Sequence, residues 1–270
     1  MKKRDNLGRG YAVLLGIASI FVILLSTFVL AAVSEPKGPN QVVISASGRN
    51  TLTNSSYQLS AQAGNVTALV ITDNRNTEAW QGYYGNITGT ITLDDANNFT
   101  LYDWDLPDPT GEIYASNGTD VTWKNAYCMN VSGIRNASGT SSGNAFYNIN
   151  GSQIELNFGI NITDRDGLNE TFNDTYTNAI GFQVGSITIN TEDGCSMAHP
   201  FTSENHNTDW QELLLSDNRS LLFTAIIRKD SDSYQPGTTD THDFQMLVLE
   251  NGHAGFDATP TPYYFYIELA

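Results

Sequence analysis

From Asn86 to Leu93 the chain reads NITGTITL, with Ile87, Gly89, Ile91 and Leu93 at one parity and Asn86, Thr88, Thr90 and Thr92 at the other. Alternation with a period of two puts one face of an extended strand against a core and the other in water. The same period runs through Ile154, Leu156, Phe158, Ile160 and Ile162 against Glu155, Asn157, Gly159 and Asn161, which predicts a second half-buried strand. Tyr263, Phe265, Ile267 and Leu269 form a third apolar face. The chain stops at Ala270, so this last strand is expected in the sheet, with no C-terminal anchor or sorting tail behind it.

Working outward, Ile180, Phe182 and Val184 occupy one parity and Ile187 and Ile189 the other. The switch across Gly185 and Ser186 predicts a β-bulge. Leu221 to Ile227 and Phe244 to Leu249 are apolar at both parities, as expected of strands covered on both sides. No helical period extends beyond two turns after residue 34, and turn chemistry recurs at Asn117 with Gly118, Asp193 with Gly194 and Asn251 with Gly252. Many short strands with this punctuation predict an all-β fold, a single β-sandwich of jelly-roll type over residues 41–270. Ser132 to Asn150, rich in Ser, Gly and Asn, is expected to be a long surface loop, and residues 34–40, with Pro36, Gly38 and Pro39, a linker.

Residues 1–10 form a basic region with Lys2, Lys3, Arg4 and Arg9 against Asp5, and residues 11–33 carry no charge at all. This is the pattern of an export signal or anchor helix with its basic end inside, and 23 uncharged residues suffice to span a bilayer. Three fates are open: a retained anchor, favoured by the length; signal-peptide cleavage at the small residues around Ala31 or around Ala32, Val33 and Ser34; or processing after Gly10, where Arg9 and Gly10 resemble the cut site of archaeal type IV pilin precursors. All three put the remaining chain outside the cell membrane.

Beyond residue 33 only 9 Lys and Arg face 28 Asp and Glu. A net charge near −19 repels phosphate backbones, so nucleic acid is excluded as a partner. The two cysteines, Cys128 and Cys195, both lie in the exported part, where disulfides persist, and a bridge between them would stabilise the fold by roughly 4 kcal/mol.

Twelve Asn-X-Ser/Thr acceptor triplets start at Asn54, Asn65, Asn86, Asn98, Asn117, Asn130, Asn136, Asn150, Asn161, Asn169, Asn173 and Asn218, where composition alone predicts about five. Asn86 and Asn161 fall on the polar parity of their predicted strands, where a bulky glycan stands in solvent. Gly139 to Gly143 has the spacing of a hydrolase nucleophile elbow but sits in the Ser, Gly and Asn loop, without the strand before it and helix after it that the elbow needs. Asp103 with Asp105, and Asp164 with Asp166 and Gly167, resemble fragments of calcium sites, yet neither supplies the six to eight oxygens calcium takes. His199, His206, His242 and His253 lack zinc spacing. No catalytic, cofactor or metal residue is therefore assigned. Trp80, Tyr83, Tyr84, Trp104, Trp123 and Trp210 are candidates for a sugar-binding aromatic platform, although aromatics at this density more often form a core.

Trp80 with Gly85 to Gly89, Leu93 to Asp95, Gly111 to Ala115, the two cysteines, Asp243 to Met246, Glu250 to Gly252 and Tyr263 to Leu269 together resemble an uncharacterised family of archaeal secreted or membrane-anchored cell-surface β-domain proteins. The resemblance covers most of the exported part and implies one domain on an archaeal surface, with no catalytic residue. The expectation is a non-enzymatic structural or adhesion protein, held to the membrane by its N-terminal helix, whose partners are other surface proteins or like subunits. The alternatives are a filament subunit, pilin-like or with Gln41 to Ser47 inserted into a neighbour's sheet, and a carbohydrate-binding module.

Overall fold

The computed structural model describes residues 34–49, 55–73, 76–131, 151–176, 181–200, 210–229, 241–250 and 260–270. Residues 1–34 and 35–270 form two separate units, and all but Ser34 of the described residues belong to the second. Tyr11 to Val33, Asn54, Asn136, Asn150, the Gly139–Gly143 motif, His206, His253 and the Ser132 to Asn150 loop lie outside the described residues.

The chain is mostly β with few helices, as the alternating patterns predict. In order, the strands are β1 (Trp80–Gly85), β2 (Gly89–Asp94), β3 (Thr100–Leu106), β4 (Gly111–Ser116), β5 (Tyr127–Cys128), β6 (Asp174–Thr175) and β7 (Phe182–Val184). They continue with β8 (Ile187–Ile189), β9 (Ser196–Ala198), β10 (Glu212–Ser216), β11 (Leu221–Ile226), β12 (Phe244–Leu249) and β13 (Tyr264–Leu269). A seven-stranded antiparallel sheet runs β13-β4-β11-β10-β9-β6, with β5 also paired to β10. Three antiparallel ribbons stand apart from it: β1 with β12, β2 with β3, and β7 with β8.

Central strands of the large sheet are apolar at both parities because both sheet faces are covered. Ile113, Ala115, Leu214, Phe223 and Ala225 share one core with Met246 and Val248 of the β1–β12 ribbon and with Ile154, Leu168 and Phe172. Tyr114, Leu213, Leu215 and Leu222 share the other with Trp123, Tyr176, Phe182, Val184 and Ile189. The Cys128–Cys195 disulfide, with Cα atoms 4.6 Å apart, is buried in this second core and ties β5 to the start of β9.

Two predicted elements take another form. Ile154 to Ile162 is not a strand: Gly151–Asn157 is helical, with Ile154 and Glu155 buried and Leu156 exposed. Ile154 and Phe158 satisfy both period two and the i, i+4 spacing, and Gly159 decides between them. Its φ is 73°, its N–H bonds to the Leu156 carbonyl at 3.1 Å, and the Ile160 N–H bonds to the Glu155 carbonyl at 2.8 Å. These two bonds form the Schellman motif, which ends a helix on a left-handed residue.

The predicted bulge at Gly185 and Ser186 is instead a two-residue hairpin loop, with Phe182 paired to Ile189 and Val184 to Ile187. Gly185 has φ 56° at the first loop position. Reversal across two residues returns all four apolar side chains to one face, which produces the same parity switch in sequence as a bulge. Residues 35–40 are not a free linker either. Pro36 is buried, and Lys37 exchanges backbone bonds of 3.1 and 2.8 Å with Ile267 on the edge of β13.

Candidate interaction surface

Among the described residues, three apolar features are left wholly or partly exposed. The first is the β2–β3 hairpin. Asp95 sets its loop by accepting the Asn97 and Phe99 N–H groups at 2.8 and 2.9 Å, with Asn98 at φ 63°. Register places Ile91 opposite Trp104 and Leu93 opposite Tyr102 on one face, and Thr90 opposite Asp105 and Thr92 opposite Asp103 on the other. Alternation therefore produces the two-faced strand expected from NITGTITL. Among the described residues that apolar face is largely uncovered, with Ile91, Leu93 and Trp104 54, 56 and 57 % exposed. Tyr102 and Trp104 stack on one another, 6.2 Å between centroids.

The second is the stretch before β1. Among the described residues no strand or bridge forms between Gly38 and Asp73. Yet Ser56 to Ala63 alternates strictly, with Tyr57, Leu59, Ala61 and Ala63 against Ser56, Ser60, Gln58 and Gln62. Tyr57 is 88 % and Val66 100 % exposed, and Val42, Ile44, Val70 and Ile71 are exposed as well. Gln41 to Thr72 contains no Asp or Glu and a single charge, Arg49. Leaving so many large apolar side chains in water forgoes about 1.5–3 kcal/mol for each one that could be fully buried.

The third, only partly exposed, is the face of β13 beside β1. The β1–β12 ribbon covers the first core over β4 and β11, whose core-facing side chains are buried. Phe265, Ile267 and Leu269, on the same face of β13, are only half-buried. Tyr83 of β1 reaches Phe265 edge to face at 5.1 Å, and Gly89 at the start of β2 meets Leu269, so β1 and β2 each cover one end of this face. On the far edge of β12, the Glu212 Oε2 accepts the Leu247 N–H at 2.8 Å. The edge of β1 has no second strand among the described residues. Burial holds the Glu212 carboxyl well above the usual range, offset in part by the bond from the Leu247 N–H.

One titratable group lies on the opposite face. Glu112 of β4 is buried directly opposite Glu268 of β13, with Tyr114 beside both. Burial first, and the Glu268 charge second, push Glu112 up to about 8. Glu268 is raised by burial, offset in part by the Gly185 N–H donating to both of its oxygens at 3.0 and 3.2 Å.

Other predicted residues disperse. Asn65, Asn86, Asn98, Asn161 and Asn173 are exposed. Asn117, Asn130, Asn169 and Asn218 are half-buried; the Asn117 Oδ1 accepts the Leu221 N–H, and the Asn169 amide bonds to Ser152. Asp103 and Asp105 share the polar hairpin face, remote in sequence from Asp164 and Asp166, and among the described residues no group of three or more His, Cys, Asp or Glu converges. His199 bonds to Asp174 at 3.0 Å and His242 to Asn86 at 3.2 Å. The six aromatics do not form one platform, because Trp123 and Trp210 are buried and Trp80 packs on Phe172 and Phe223 in the first core. Only Trp104, Tyr83 and Tyr84 present substantial exposed surface.

Gln41 to Ser47, expected as a strand for insertion, forms no strand here, and the alternation of Ser56 to Ala63 is a further extended pattern in the same stretch. The approach of β1 to β13 had no sequence signal, since the two strands lie about 180 residues apart. No family model, no curated protein and no solved structure matches this chain.

Proposed function

We propose that this chain is a non-enzymatic structural or adhesion protein of the cell surface, exported by residues 11–33, whose acidic, N-glycosylated domain is built into contacts with neighbouring protein. The observation that carries this reading is exposed apolar surface: the hairpin face of Ile91, Leu93, Tyr102 and Trp104, together with Val42, Val43, Ile44, Tyr57, Leu59, Val66, Val70 and Ile71 before β1. Contiguous exposed apolar surface marks a protein interaction site. A strand with open backbone groups is a template for pairing with another chain. In this reading the large sheet and the β1–β12 ribbon packed over it are the two layers of a β-sandwich of jelly-roll type. The disulfide and the exposed acceptors Asn65, Asn86, Asn98, Asn161 and Asn173 suit an extracellular setting.

Immunogold electron microscopy of cells expressing the full chain tests it. Label is expected outside the membrane in clusters or continuous arrays; label confined to the cell interior would overturn the reading. A filament subunit is the second reading, favoured by the strand pattern of Ser56 to Ala63, and it predicts label along extended fibres.

A further inference from the structure

We propose that Asn65 and Asn161 are the positions at which the folded domain accepts an N-linked glycan from a lipid-linked glycosyl phosphate. This rests on the reading of the domain as exported and N-glycosylated. In the transfer the Asn Nδ2 forms a C–N bond to the anomeric carbon of the donor and the bond from that carbon to the phosphate oxygen breaks. The phosphate leaves with the electron pair, and one amide proton passes to a base of the transferase. The transferase has to reach the Asn amide and the hydroxyl two residues on together, so a triplet is decided by what the fold has fastened it to.

Among the described residues, only its own turn holds the Asn161 triplet. Asn161, Ile162 and Thr163 are all exposed. The Thr163 N–H and hydroxyl donate to the Asn161 Oδ1 at 3.1 and 3.0 Å, and the Asp164 N–H donates to the Asn161 carbonyl at 2.9 Å. Asn65, Val66 and Thr67 are likewise exposed, and the Asn65 N–H donates to the Gln62 carbonyl at 3.2 Å in a turn of the same local kind. The other exposed acceptors sit in triplets tied to further parts of the fold. After Asn86, the Ile87 N–H donates to Oδ2 of the buried Asp243 at 2.6 Å. After Asn98, the Thr100 hydroxyl donates to the Asp94 carboxylate at 2.6 Å across the hairpin. After Asn173, Thr175 pairs with Ser196 in the large sheet. Asn218 is the extreme case: its Oδ1 is buried, and the hydroxyl the transferase would read belongs to Ser220, which is buried against Gly118. A fastened triplet is modified only from a locally opened state, which is a minor population.

Transfer in vitro tests the assignment. Full-length chain, made in cells without an N-glycosylation pathway and purified in detergent with its disulfide formed, is incubated with a purified single-subunit oligosaccharyltransferase and a lipid-linked oligosaccharide. Synthetic peptides spanning the same triplets serve as unfolded controls. Occupancy at each Asn is read over time by mass spectrometry of glycopeptides. In the folded chain, Asn65 and Asn161 are expected to react within a few-fold of their own peptides, and Asn86, Asn98, Asn173 and Asn218 at least about ten-fold more slowly than theirs. Folded chain refused at Asn65 and Asn161 while their peptides react would overturn the proposal, as would folded chain modified at Asn218 as readily as at Asn161. Peptides refused at Asn65 and Asn161 would overturn it too. Separately, chain extracted from the cell surface that carries no glycan at any acceptor would remove the glycosylated reading itself.

Discussion

Glu112 is the residue whose chemistry is most at odds with its place. It sits in β4 with Glu268 across the strand pair, and removal from water costs its charged form more than its neutral form. In the unfolded chain it ionises near the usual 4.5, and in the folded one only near 8. Between those values the unfolded state binds fewer protons than the native state, so stability falls as pH rises from about 4.5 to about 8 and is level beyond. Glu112→Gln keeps the shape and removes the titration. It is expected to stabilise the protein by about 1–3 kcal/mol at pH 8 and to have little effect at pH 4, read from urea unfolding at a series of pH values. Asp217 is a buried side chain whose two oxygens are both bonded. Its Oδ2 accepts the Thr122 N–H at 2.7 Å, and its Oδ1 accepts those of Arg219 and Ser220 at 3.0 and 2.7 Å. It thus fixes the β10–β11 turn and pins the segment before Trp123 to it. Asp217→Ala strands three donors and is expected to cost about 3 kcal/mol in the same measurement, with Asp217→Asn costing less.

Among elements, β5 and β9 are short and depend on their neighbours. β5 pairs with the end of β10, β9 with its start, and Cys128–Cys195 joins them inside the second core. The bridge spans 67 residues of sequence, so on the chain-entropy argument its loss costs roughly 4 kcal/mol. Cys128→Ala with Cys195→Ala is expected to lower the thermal midpoint by at least about 10 °C for a domain of this size, and reductant is expected to reproduce the drop in the wild type. This pairing was legible in the sequence because two cysteines allow one bridge. The strands β11 and β12 were legible as short apolar runs rich in β-forming residues, and β13 by its alternation. The helix at Gly151–Asn157 was hidden because Ile154, Leu156, Phe158 and Ile160 fit an alternating strand as well, and only a left-handed Gly159 tells them apart. The β7–β8 hairpin was hidden for a related reason: a bulge and a two-residue reversal both shift parity by one. For the candidate surface, the polarity of each hairpin face was legible, but not that the apolar face is left uncovered. Exposure depends on what else packs there, and local pattern does not carry that.

At the scale of the whole molecule, the acidic body and the nearly uncharged segment act in opposite directions on assembly. Each exported domain carries a net charge near −19, and bringing two together raises that repulsion over distances comparable with the screening length, about 10 Å at 0.1 M salt. Where copies meet through the exposed apolar side chains, the attraction comes from burying them, which salt in this range barely alters. Repulsion is therefore the salt-sensitive part. Self-association is expected to strengthen several-fold as sodium chloride rises from about 0.02 to 0.3 M and then to level off once the Debye length is shorter than the separation of the surface charges. An interface held by opposite charges would weaken over the same range, because screening reduces attraction as well as repulsion. Sedimentation velocity of the wild type across that series distinguishes the two signs. Leu59→Asp adds to the difference, since its one extra carboxylate sits in the nearly uncharged stretch from Gln41 to Thr72, so the association of that variant is expected to depend on salt more steeply than that of the wild type.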